Sequence, residues 1–244
     1  MIVVVSDLHL GYKESDTAAF TSFVSDYVSK ELCGEDHFVL LGDIFDFWRR
    51  RNIEPLLEHQ GVLTEILGLD AKVWYVVGNH DYYMLKIRER FPEYYVFDLR
   101  KNLRLADGGN RFFFTHGYEL DVLANYEPLT IENYEKICES LCRAENILGK
   151  IMSRLWGLRK KLGKPPEKRK SWRKLDIDKL EEFACSNVRN IFLGMRNDEK
   201  LVFGHTHRPF IREDTANTGS WVRSPQRYNT FIEIKNGKMK LKKW

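Results

Sequence analysis

The chain has 244 residues, enough for one large domain or two small ones, and its 43% hydrophobic and 30% charged residues argue against a disordered chain. Its net charge of +4 is unevenly divided: ten Lys or Arg and one acid, Glu167, lie between Arg154 and Lys174, so that segment carries +9 and the remainder −5. No apolar run approaches the ~20 residues of a membrane helix. Met1-Ile2-Val3-Val4-Val5 has no basic leader and meets Asp7 at once, which is not the pattern of a secretion signal. Cys33, Cys138, Cys142 and Cys185 form no CxxC pair and are expected as reduced thiols in a cytoplasmic protein. Cys138 and Cys142, four apart, are expected as small buried side chains on one helix face, not as a metal pair.

In chain order, Ile2–Ser6 predicts a buried strand ending at Asp7-Leu8-His9. Thr17–Lys30 predicts an amphipathic helix, Phe38–Leu41 a strand running into Gly42-Asp43-Ile44-Phe45-Asp46, and Ile53–Leu67 a second helix. Val73–Val77 predicts a strand before Gly78-Asn79-His80-Asp81, and Arg111–Phe114 one before Thr115-His116-Gly117. Residues 120–195 break the pattern and are expected as a helical cap insertion within a single domain spanning 1–244. There Leu148, Ile151, Met152 and Leu155 recur at helical steps, Gly163-Lys164-Pro165-Pro166 interrupts, and Asp178–Phe192 resumes with Leu180, Phe183, Ala184 and Val188 at compatible spacing. Leu201–Phe203 predicts a strand before Gly204-His205-Thr206-His207. The tail reads as strands Phe210–Glu213, Asn229–Ile234 and Met239–Leu241, with a turn at Asn236-Gly237. Alternating strands and helices imply an α/β sheet, whose functional groups gather outside the carboxyl ends of the strands. The polar clusters sit at those ends.

Five of the seven histidines (His9, His80, His116, His205 and His207) fall in these clusters, with Asp7, Asp43, Asp46, Asn79 and Asp81. Imidazole and carboxylate together suit divalent ions such as Mn²⁺, Fe²⁺ or Zn²⁺. There are enough ligands for two ions, and a shared carboxylate could hold them ~3.5–4 Å apart, the spacing used in phosphoryl chemistry. Any one cluster alone reads equally well as a turn or a hydrogen-bonded histidine. All five in order, each after a buried run, read as one site.

The order Asp-x-His, Gly-Asp-x-x-Asp, Gly-Asn-His-Asp, His, Gly-His-x-His, from Asp7 to His207, resembles the calcineurin-like metallophosphoesterase superfamily. The resemblance implies a four-layer α/β/β/α sandwich and a metal-dependent phosphoric ester hydrolase. It also implies a binuclear centre, with Asp7, His9, Asp43 and His207 on one ion, Asp43, Asn79, His116 and His205 on the other, and Asp43 bridging. Mn²⁺ is the first expectation, with Fe or Zn²⁺ also suited. A metal-bridging hydroxide would attack phosphorus while both ions act as Lewis acids. His80, a non-ligand, would stabilise the developing charge or protonate the leaving oxygen. Asp81 is expected to orient the His80 ring or raise its pKa, and Asp46 to stand behind the ligands.

The Gly42–Trp48 and Asn217–Trp221 texts look further like the branch containing the UDP-2,3-diacylglucosamine diphosphatases, whose helical insertion caps the site and receives acyl chains. Position 80 is His, where that branch usually has Arg. The expected substrate is therefore a different phosphodiester, pyrophosphate or phosphomonoester, nucleotide-linked or lipid-linked. Within the basic segment, Leu155, Trp156, Leu158 and Leu162 interleave with Arg159, Lys160 and Lys161. Such a stretch suits an anionic membrane surface, nucleic-acid phosphates with Trp156 or Trp172 stacking on bases, or a solvated hairpin tip. Two other functions stay open: a Mn-dependent nuclease that holds DNA or RNA with the insertion, and a non-catalytic scaffold, against which the complete motif set speaks.

Overall fold

The computed structural model describes residues 1–51, 53–90, 92, 97–126, 129–143 and 177–244. The expectations for Leu148–Leu155, for the breaker at 163–166 and for the basic segment 154–174 lie outside the described residues. The first sheet joins four parallel strands, β1 (Ile2–Val5), β2 (His37–Leu41), β3 (Lys72–Val76) and β4 (Asp98–Arg100). It also includes β10 (Thr230–Lys235), antiparallel to β1, and β11 (Lys238–Lys243), antiparallel to β10. The second sheet has the order β5 (Asn102–Asp107), β6 (Asn110–Thr115), β7 (Glu199–Phe203), β9 (Thr215–Asn217), β8 (Phe210–Arg212), with β6, β7 and β9 parallel.

The two-residue period of the strands determines the layering. Ile2, Val4, Val39 and Leu41 meet Phe112, Phe114, Val202 and Ala216 in one apolar cluster between the sheets. The alternate residues Val3, Val5, Phe38 and Leu40 point the other way, onto Phe20, Phe23, Val24 and Val28 of the helical layer. On the far side, Phe113, Leu201 and Phe203 pack against Leu120, Leu180 and Ala184. The strands are apolar on both faces because both faces are covered, and each fully buried Val or Leu contributes about 1.5–3 kcal/mol. The result is the expected α/β/β/α order of layers.

The helices are more broken than their periodicity suggests. The stretch expected as Thr17–Lys30 is α1 (Thr17–Phe23), a widened π-helical turn (Val24–Val28) and a last turn, α2 (Ser29–Glu31). The expected Ile53–Leu67 helix divides into α3 (Ile53–Glu58) and α4 (Gln60–Leu67), where His59 leaves helical geometry at φ −112°. Then come α5 (Met84–Arg90), α6 (Tyr118–Asn125), α7 (Ile131–Arg143), α8 (177–185) and α9 (Arg189–Leu193). The turn between α8 and α9 puts Val188 at 49% exposure, off the buried face where the spacing had aligned it with Leu180 and Ala184. Cys138 and Cys142 of α7 are buried in the helix-side core and unpaired, as expected. Among the described residues, no helix is long and apolar enough to cross a membrane.

Candidate metal centre

β1, β2 and β3 run parallel in one sheet, and β6 and β7 run parallel in the other. The loops that follow them interlock. The Asp7 N–H donates to Gly42 O at 3.0 Å, His9 N–H to Asp43 O at 2.8 Å, and Leu10 N–H to Ile44 O at 2.8 Å. The Gly204 N–H donates to His116 O at 2.9 Å, linking the second-sheet loops. The two site carboxylates also collect backbone donors, His80 N–H on Asp43 Oδ1 at 2.8 Å and His205 N–H on Asp7 Oδ2 at 2.9 Å. A Cβ on Gly78 would collide with the Asp43 carboxylate and its backbone nitrogen, so only glycine fits there. Asp7, His9, Asp43, His205 and His207 all have positive φ, between +50° and +67°. Non-glycine residues avoid this left-handed region, and its occurrence clusters at functional sites.

The side chains converge from both sheets. His207 Nε2 lies 3.2 Å from Asp7 Oδ1, and His9 Nε2 lies 3.9 Å from Asp7 Oδ1 and 3.7 Å from Asp43 Oδ2. His116 Nδ1–H donates to Leu41 O at 3.1 Å, which aims Nε2 at Asp43 Oδ2, 3.4 Å away. Three triples have ligand atoms within 4.8 Å of one another: Asp7, His9 and His207; Asp7, Asp43 and His116; and His9, Asp43 and His80. Asp7 Oδ1, Asn79 Oδ1 and His116 Nε2 are buried with no hydrogen-bond partner. Buried polar atoms are normally satisfied. A set of carboxylate, amide and imidazole atoms left unsatisfied together fits a divalent ion, which would take them all as ligands.

The electrostatics agree with that fit. Burial pushes the Asp7 carboxyl up, but His207 and His116 outweigh it and hold the group at about 2. Burial likewise opposes the charge on Asp43, yet His116 and His80 hold it well below the carboxylate range. Burial disfavours a charged His116, but Asp43 and Asp7 raise it to about 10. A proton on His116 thus supplies positive charge that a metal cation would supply in its place.

His205 and Asn79 stand on the same cleft, a cavity of about 250 Å³ that His9, Asp43, His80 and His207 also line. The His205 Nε2–H donates to Asp121 Oδ2 at 3.0 Å, leaving Nδ1 for any ligand role. Asp121, the first residue of the expected insertion pattern to reach the site, carries no motif of its own. The Asn217-Thr218-Gly219-Ser220-Trp221 stretch acts behind the site. Asn217 Nδ2 donates to Gly204 O at 2.6 Å, and Ser6, hydrogen-bonded to Thr218 at 2.5 Å, donates to the Asp7 carboxylate.

His80 requires one correction. Its Nδ1 is 3.1 Å from Asp46 Oδ1, not beside Asp81. The Asp81 carboxylate faces away from the ring and accepts the Ile44 N–H at 2.8 Å, the Gly78 N–H at 2.6 Å and the Tyr75 hydroxyl at 2.6 Å. Consecutive side chains in a tight turn point in different directions, so adjacency in sequence gave the wrong partner. Burial, and then the nearby Asp43, raise the Asp81 carboxyl to about 6. Burial opposes the charge of Asp46, but His80 and His9 hold it well below the usual range. The Trp48 ring stacks on His80 with centroids 4.0 Å apart and 21° between planes, an anchor the sequence reading did not assign. Arg49 pairs with Asp46 and lies over the Tyr12 ring, 4.4 Å from its centroid.

Residues 1–209 match the family model described as Calcineurin-like phosphoesterase. Proteins named UDP-2,3-diacylglucosamine hydrolase are similar over most of their length. The one from Shewanella sp. (strain W3-18-1) is 27% identical over 219 residues, covering 86% of this chain and 82% of that protein. The one from Neisseria gonorrhoeae is 27% identical over 234 residues, covering 89% and 88%. In structure, the chain is similar to a dimetal phosphatase from Danio rerio, with a TM-score of 0.51 at 13% identity over 99% of this chain and 94% of that one, a likeness of fold. With the motifs of both sheets brought to one cleft, the chain belongs to the calcineurin-like phosphoesterase family of metal-dependent phosphoric ester hydrolases.

Proposed function

We propose that the chain hydrolyses a phosphodiester or diphosphate with two divalent ions. Asp7, His9, Asp43 and His207 would hold one, Asp43, Asn79, His116 and His205 the other, and Asp43 would serve both. Mn²⁺ is the proposed native ion. Such ions supply Lewis acidity toward a phosphoryl oxygen and a water nucleophile at neutral pH. The single observation that carries this reading is the pair of buried carboxylates, Asp7 and Asp43, facing His9, His116 and His207 with unsatisfied atoms between them.

The protein groups have separate tasks in this reading. Asp46 accepts the Nδ1 proton of His80, and Trp48 stacks on the ring, so Nε2 is the nitrogen left for the substrate. A proton held on Nε2 would meet charge developing on the ester or the departing oxygen. Asp46, with His80, replaces Asp81 as the acid–base pair, and Asp81 ties the Gly42–Phe45 and Gly78–Asp81 loops together.

For the substrate, the similarity to UDP-2,3-diacylglucosamine hydrolases supports a nucleotide-linked or lipid-linked diphosphate. In this reading a cytoplasmic protein would meet it at the membrane surface, with residues 120–195 as its cap. The test is a screen of the Mn²⁺-loaded full chain against monoesters, diesters, nucleotide-sugar diphosphates and single-stranded DNA, with metal content measured in parallel. Two equivalents of metal and turnover of a diester or diphosphate are expected. No turnover of any of them at full metal loading would defeat the proposal.

A further inference from the structure

Tyr12 and Arg49 line both the cleft over the candidate ligands and a second cavity of about 420 Å³, so the two spaces share a wall. Lys13, Arg50, Glu58 and His59 complete the second cavity. Its scaffold is firmly built. Gly11 has φ +94°, and a Cβ there would meet Pro55 Cγ at 2.8 Å, so the loop that presents Tyr12 and Lys13 sits directly on α3. Arg50 is committed to that scaffold, donating to Gly11 O at 3.4 Å and to Glu54 at 3.1 Å and pairing with Glu58.

The other two cations are not so committed. Arg49 has a side chain 36% exposed, with Asp46 on one side and the Tyr12 ring beneath it. Lys13 is 81% exposed, and its acidic neighbour Glu14 is 3.8 Å away. His59 also lines this cavity, and its buried Nε2 has no hydrogen-bond partner. A guanidinium that lines both cavities with about a third of its side chain exposed is suited to a bidentate phosphoryl contact.

We propose that this second cavity is the subsite for the departing half of a diphosphate substrate, with Arg49 and Lys13 meeting the phosphoryl group next to the one attacked and His59 facing the organic portion. The inference rests on the phosphoesterase reading above. In diphosphate hydrolysis, one oxygen of water bonds to the attacked phosphorus and the P–O–P bridge breaks. The electron pair leaves on the bridging oxygen, and the water protons pass to solvent or to that oxygen. New negative charge therefore appears on the departing phosphate, where a cation stabilises it. A simple diester has no second phosphoryl group to place there.

The test compares kcat/KM for the Mn²⁺-loaded wild type, Arg49→Gln, Arg49→Lys and Lys13→Gln. The substrates are UDP-N-acetylglucosamine, UDP-2,3-diacylglucosamine and bis(p-nitrophenyl) phosphate. The ratio of diphosphate to diester activity should fall about tenfold or more in Arg49→Gln, the scale of one lost charge-assisted contact. It should fall less in Lys13→Gln and recover in part in Arg49→Lys. Whichever diphosphate shows the fall identifies a nucleotide sugar or a lipid-linked substrate as the source of that phosphate. A proportional loss on diester and diphosphate would make Arg49 only a support for Asp46 and overturn the subsite. Wild-type turnover of the diester with neither diphosphate cleaved would overturn it while leaving the phosphoesterase reading intact. Failure on the diester as well, with metal loaded, would remove both.

Discussion

His80 and Asp46 form a hydrogen-bonded pair, Nδ1 to Oδ1 at 3.1 Å, although 34 positions separate them in the chain. The carboxylate comes from the loop after β2 and the imidazole from the loop after β3. Asp46 has no exposed side-chain surface, and Arg49 caps its other side. Under the proposed mechanism this pair fixes the tautomer of the general acid.

His80→Ala should therefore retain metal and lose about 10²–10⁴-fold in kcat. Asp46→Asn should lose about 10–100-fold, as is typical when the partner behind a functional imidazole is altered. Metal analysis beside steady-state kinetics checks both, and wild-type turnover by metal-loaded His80→Ala would contradict the assignment.

Asp43 gives the second prediction, because it sits between the two halves of the proposed centre. Asp43→Asn should lose metal and turnover together. In the wild type, Mn²⁺ at a hundredfold excess over Kd should stabilise the fold by about 2.7 kcal/mol, seen as a higher Tm that EDTA reverses. An unchanged Tm in Asp43→Asn with the same Mn²⁺ is the matching expectation.

Asp81 is expected to act on stability. Its two oxygens accept from the Gly78 and Ile44 N–H groups and the Tyr75 hydroxyl. In Asp81→Asn the amide NH₂ must face at least one of these donors. The loss should be about 2–3 kcal/mol, read from the urea midpoint at constant m.

A pH effect should come from Asp16, whose side chain is only 3% exposed and accepts Asn229 Nδ2 at 2.9 Å and Arg223 Nη2 at 3.2 Å. Burial opposes its charge, but these donors and Arg227 hold the carboxyl below its ordinary 3.8. A carboxyl depressed in the folded state binds its proton more readily when unfolded. Its stabilisation is present above about pH 4 and is lost as pH falls through the folded value. The difference in denaturant midpoint between wild type and Asp16→Asn should accordingly shrink from pH 6 to pH 3. A constant difference across that range would exclude the linkage.

The site was legible in sequence because each candidate residue follows a buried apolar run, and parallel strands bring such ends together. The helix and strand text was less informative where packing decides. β4 and β9 are three residues each, and β5 alternates Asn, Leu, Arg, Leu, Ala and Asp, so none has a run to recognise. Their pairing with β3, β7 and β6 makes them strands. Asp121 was invisible for another reason. It enters the site through a helix turn, its only signal being the His205 ring that it meets in three dimensions.

The left-handed backbone at Asp7, His9, Asp43, His205 and His207 bears on how this family can change. Each such non-glycine residue costs about 1 kcal/mol or more, and glycine, with no Cβ, adopts the same conformation without that cost. A chain drifting away from catalysis would thus grow sturdier at the positions where it goes silent. Thermal hardiness alone is a poor guide to which descendants still turn over substrate. An inactive relative with Gly at these positions is the expected product of relaxed selection, and its durability would record the strain that the working site sustains.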